Sequence, residues 1–83
     1  MSNQATIQHR PLYEIAREIR QDWKTVNYAA APYLRAMMEL KTVDSMYGFD
    51  DGGMVVAYFL SNATTWRGEK AREIKKELKE MLK

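Results

Sequence analysis

The chain has 83 residues, enough for one domain and too few for two, and at this length only about 60–65% of the unfolded surface is buried on folding. With 46% apolar and 29% charged residues the composition is that of a folding domain; the absence of cysteine excludes disulfides and thiolate zinc sites, and one histidine cannot build a histidine cluster. The formal charge is only +2, but seven of the thirteen Lys and Arg fall within residues 66–83 against four acids, so the surplus belongs to the C-terminal segment.

Residues 1–10 read as a polar, flexible leader with neither the basic start nor the apolar run of an export signal. The longest uninterrupted apolar run, Met54 to Leu60, falls far short of the ~20 residues of a membrane span. A cytoplasmic protein without a membrane partner is the expectation, and residues 11–83 form a single helical domain.

Four helices are expected in a compact all-α bundle, roughly over 11–25, 28–43, 53–63 and 65–82. Pro11 suits a first helical position, and Leu12, Ile15, Ile19 and Trp23 recur on one face at three- and four-residue steps, with Arg17, Glu18 and Arg20 on the wet side. Asn27 reads as a cap for the second helix, in which Pro32 marks the first turn or a kink. Tyr33, Leu34, Met37, Met38 and Leu40 cover more than one face, which makes that helix central. Residues 42–53, rich in Gly and Asp, have loop composition, with an Asp placed to cap the next segment.

The run MVVAYFL, residues 54–60, carries strand formers, yet a lone strand would lack a ladder partner while a helix satisfies its own backbone, so helix is preferred with strand as the alternative. Thr64 or Thr65 would cap the last helix. Ala71, Ile74, Leu78 and Met81 form its packing seam, with Trp66 and Leu82 at the edges. Projected at about 100° per residue, Arg72, Lys75, Lys76, Lys79 and Lys83 gather on one arc and Glu69, Glu73, Glu77 and Glu80 on a neighbouring one.

The stretches PLYEIAREI, Trp23, Ala31-Pro32-Tyr33, Tyr47-Gly48 and YFLSNATTWRGEKAREIKKEL resemble small uncharacterised helical proteins of bacterial phages, prophages and mobile elements, over most of the chain from about Pro11. The resemblance implies a setting in mobile DNA. It carries over no catalytic or binding residue.

Chemistry-bearing constellations are sparse. Ser45, Ser61, Thr64 and Thr65 have no histidine base within reach, since His9 lies in the leader and reads as a titrating surface histidine. Asp44, Asp50 and Asp51 do not have the alternate spacing and terminal glutamate of a calcium loop and read as turn and capping residues. No catalytic residue, cofactor site or metal site is expected, and the chain is read as a non-enzyme. The leading function is a small binding or adaptor protein docking onto a protein partner through the segregated charges of its last helix. Two alternatives stand beside it. One is a nucleic-acid-binding accessory protein using Arg67, Lys70, Arg72, Lys75, Lys76 and Lys79, with Trp66 as a stacking platform or, more simply, a core anchor. The other is a self-associating structural protein, a homo-oligomer, because Trp23, Tyr33 and Tyr47 offer more aromatic surface than a small core consumes.

Overall fold

The computed structural model describes residues 9–83. Helix α1 spans Leu12–Asp22, α2 Ala31–Met37, α3 Gly52–Ser61 and α4 Glu69–Met81, with a two-stranded antiparallel hairpin, β1 Met46–Tyr47 and β2 Asp50–Asp51, between α2 and α3. The architecture is therefore helical without being purely all-α. Residues 54–60 are helix, and the strands lie in the segment expected to be loop.

The apolar spacing of α1 does what its period dictates: Leu12, Ile15, Ala16 and Ile19 are buried along one face, and Trp23 comes just past the helix end. Its first two amides lack intrahelical partners and are met from another segment, Leu12 N–H bonding the Lys41 carbonyl at 2.9 Å and Tyr13 N–H the Leu40 carbonyl at 3.0 Å. That arrangement also explains why α2 ends at Met37, well before 43. After Met37 the chain tightens into three-residue turns, Glu39 N–H to Ala36 and Leu40 N–H to Met37, and then crosses the start of α1. At the other end the Asn27 side chain accepts from Ala29 N–H at 2.9 Å, so Asn27 opens a turn and α2 itself begins at Ala31, with Pro32 in its first turn.

The hairpin is compact because Gly48, at φ +64°, takes the first of two loop positions and Phe49 the second, the pattern of a II′ turn. Its base is tied down. Gly52 N–H donates to the Ser45 carbonyl at 2.7 Å, Gly53 N–H to the Val43 carbonyl at 2.8 Å, and the Asp51 carboxylate caps α3 by accepting from Met54 N–H at 2.8 Å. Residue 52 must be glycine here, since a Cβ would lie 2.9 Å from Val43 Cα and closer still to the Thr42 carbonyl oxygen.

Thr64 and Thr65 do not cap α4, which starts at Glu69 behind Gly68 at φ +115°. The helix begins late because the chain first turns Trp66 inward: its indole is 2% exposed and donates to Asp22 Oδ2 at 2.9 Å. Trp66 stacks on Trp23 with ring centroids 5.8 Å apart, and Phe59 meets both rings edge-on at 6.3 Å. Ala71, Ile74, Leu78 and Met81 are buried as the seam required, while Leu82 stays exposed.

Helix α1 packs on α2 and α4, and α3 also packs on α2 and α4. The second helix is thus packed against two neighbours, as its apolar faces require, and shares them with the fourth. Successive helices run up and down between two ends. One end gathers the start of α1, residues 38–45, the hairpin, the start of α3 and Leu82, whose side chain lies 3.7 Å from the Cβ position of Gly53. The opposite end gathers Trp23, the start of α2, Phe59 and Trp66.

Candidate functional site

Three surfaces stand out, one of them foreseen. On α4, Arg72, Lys75, Lys76, Lys79 and Lys83 line one shallow face together with Glu80. The arc of cations projected from the sequence therefore exists, but it is not uniform. Lys75 is half-buried, donates from Nζ to the Trp66 carbonyl at 2.7 Å and lies 5.8 Å from the Trp66 ring centroid. Burial, then the charges of Lys79 and Arg67, lower its pKa from the ordinary lysine value. Lys75 is thus a clamp on the loop before α4 as much as a surface charge.

The remaining candidates scatter. Lys70 turns toward α1, 3.9 Å from Glu18 Oε1, and Arg67 is exposed ahead of the helix. The acidic arc is also divided. Glu77 receives both Nε and Nη2 of Arg10, at 3.1 and 2.8 Å, Glu18 pairs with Nη1, and Glu80 borders the cations. Arg10, assigned to the leader, is accordingly held between α1 and α4. The hydrogen bond to Glu77 raises its pKa, burial opposes that rise, and Glu18 adds to it. His9 beside it is exposed, and residues 1–8 of the leader lie outside the described residues. Trp66 is a core anchor, which removes it as a stacking platform.

The second surface is the hairpin. Phe49 is 102% exposed at its tip and Met46 61%, on a projection whose base is fixed by backbone bonds and the Asp51 cap. No Lys or Arg occurs from Thr42 to Gly53, while Asp44, Asp50 and Asp51 do. The result is an acidic knob with an aromatic tip. A Gly followed by one residue between two short runs was the available signal, but the loop composition of 42–53 outweighed it.

The third is a groove of about 410 Å³ between the end of α1 and the start of α2, floored by Trp23, Val26, Ala31 and Leu34 and rimmed by Arg20, Lys24 and Arg35. Arg20 is on α1 and Lys24 lies just past its end, while Arg35 joins them through the packing of α2 on α1. Among the described residues none of the three is in an ion pair.

Other side chains singled out for chemistry are engaged locally. Ser61 Oγ donates to the Ala57 carbonyl at 3.1 Å, Ser45 Oγ accepts from Thr42 N–H at 3.2 Å, and Asp51 is committed to its cap. Among the described residues no group of three or more His, Cys, Asp or Glu is disposed to hold a metal ion, and no helix is long and apolar enough to cross a membrane. Compared with known proteins, the chain matches no family model, no curated protein and no solved structure.

Proposed function

We propose that this chain is a non-catalytic binding protein that docks onto a protein partner through the hairpin at residues 46–51. The observation that carries the reading is Phe49, wholly exposed at the tip of a rigid turn. A free-standing phenyl ring contributes nothing to the core, whereas seated in an apolar cleft it becomes a buried aromatic anchor of the kind that dominates interface energetics. Because the hairpin is already ordered by its own bonds, little further conformational entropy is lost on docking. The flanking Asp44 and Asp50 repel phosphate backbones and select a cleft with a basic rim. The likeness to proteins of phages and mobile elements directs the search for a partner to the bacterial cytoplasm, including host and replication proteins.

The test is affinity capture from native host lysate at moderate salt, split into nuclease-treated and untreated halves, with wild-type chain and Phe49→Ser side by side. A protein captured stoichiometrically after nuclease treatment, and weakened about 30-fold or more by Phe49→Ser, is expected of an anchor contributing about 2 kcal/mol or more.

A second reading uses the cationic face of α4 to track phosphates, favoured by the gathering of Arg72, Lys76, Lys79 and Lys83 on one exposed surface. It predicts nuclease-sensitive capture indifferent to Phe49→Ser and abolished by the combined changes Arg72→Gln, Lys76→Gln and Lys79→Gln. Lys75 is left intact in that variant because it holds the Trp66 carbonyl.

A further inference from the structure

Among the described residues, the most exposed large apolar side chains are Phe49 at 102%, Tyr28 at 88% and Met46 at 61%. Phe49 and Met46 belong to the hairpin. Tyr28 stands in the turn that joins Val26 to Ala31, both of which line the groove between α1 and α2. Met54, Tyr58 and Leu82 are exposed to a lesser degree elsewhere. The projection and the recess have opposite charge: Asp44 and Asp50 flank the projection, while Arg20, Lys24 and Arg35 rim the recess. A volume of about 410 Å³ over a floor of Trp23, Val26, Ala31 and Leu34 gives an aromatic ring and its backbone room to enter. Projection and recess cannot meet within one molecule. The hairpin lies at the end where α1 starts and α2 finishes, and the groove at the end where α1 finishes and α2 starts.

We infer that the occupant of the groove is a second copy of this chain, whose hairpin inserts Phe49 over Trp23 and Leu34 while Asp44 and Asp50 face Arg20, Lys24 and Arg35. This rests on the reading of the hairpin as a docking element and names its partner. Because projection and recess are different surfaces, each copy offers one hairpin and one groove, so two copies can close by exchanging hairpins about a two-fold axis, or copies can add head to tail until a larger ring closes. The ionic part of the contact weakens with salt and the apolar part does not.

Sedimentation of the purified full chain from low micromolar to near-millimolar concentration tests this, with Phe49→Ser as the hairpin-deficient variant and Arg20→Glu with Arg35→Glu as the groove-deficient one. Near-ultraviolet circular dichroism establishes that both remain folded. Wild type is expected to associate with rising concentration, to a closed dimer or beyond, and each variant alone to lose association by at least tenfold. The two variants mixed should form a one-to-one heterodimer and nothing larger, since one supplies the intact groove and the other the intact hairpin. Association of wild type that the mixture does not restore overturns the hairpin-in-groove contact. A wild type monomeric throughout, with Phe49→Ser still losing a protein captured from lysate, overturns the second copy and leaves the docking hairpin standing. A monomeric wild type whose capture is indifferent to Phe49→Ser removes both.

Discussion

The Asp51 carboxylate closes the first turn of α3 at the point where the hairpin ends. Short acidic side chains before an apolar run are favoured helix caps, and here the carboxylate accepts the Met54 amide while its own residue ends the hairpin. Asp51→Ala should therefore cost about 1 kcal/mol of stability, lowering the thermal midpoint by roughly 4–8 °C in a domain of this size. Thr64 and Thr65 looked equally suited to capping and do not cap, because Gly68 occupies that place in a backbone conformation open to glycine. Thr64→Ala and Thr65→Ala should each stay within about 0.5 kcal/mol of wild type by thermal unfolding. Local composition limits which residues can cap; the path of the neighbouring chain decides which one does.

Between elements, the strongest polar tie is Arg10 across α1 and α4. Its bidentate contact with Glu77 is partly shielded, with side-chain exposures of 33% and 27%, whereas its 3.9 Å approach to Glu14 is to a carboxylate 51% exposed. A double-mutant cycle by urea unfolding should give a coupling of about 1–2 kcal/mol for Arg10 with Glu77 and close to zero for Arg10 with Glu14. Nothing in the sequence near residue 10 pointed to Glu77, sixty-seven positions away. The helical wheel of α4 located the cationic arc correctly, since angular position is set by the period alone. It could not show that Lys75 would be drawn onto the Trp66 carbonyl or Glu77 onto Arg10, because both depend on the elements packed beside the helix.

For the whole molecule, the cluster of Trp23, Phe59 and Trp66 joins the end of α1, the end of α3 and the loop before α4. A chain of this length has a total stability of roughly 4–12 kcal/mol, and removing a buried tryptophan costs about 3–5 kcal/mol. Trp66→Ala should therefore remove about a quarter or more of the total stability, seen as a lowered midpoint of urea unfolding followed by near-ultraviolet circular dichroism. Trp66→Phe, which keeps a ring against Trp23 but loses the hydrogen bond to Asp22, should be markedly milder.

The sequence by itself determined the helical character of the domain, the buried faces of α1 and α4 and the presence of a cationic arc, and it favoured helix over strand for residues 54–60, because each stems from the periodicity or backbone needs of one segment. The tertiary structure decided where α2 and α4 stop and start, since those ends are set by a chain crossing the start of α1 and by an indole turning into the core. It also decided the surfaces with which the molecule meets others. Arg20, Lys24 and Arg35 become one rim only when two helices pack, and Phe49 becomes a projecting tip only when its strands pair and the Gly52 backbone locks against residues 42 and 43. The rim depends on two helices packed together, whereas the hairpin is held within residues 42–53, whose turn signal was present and outweighed by loop composition.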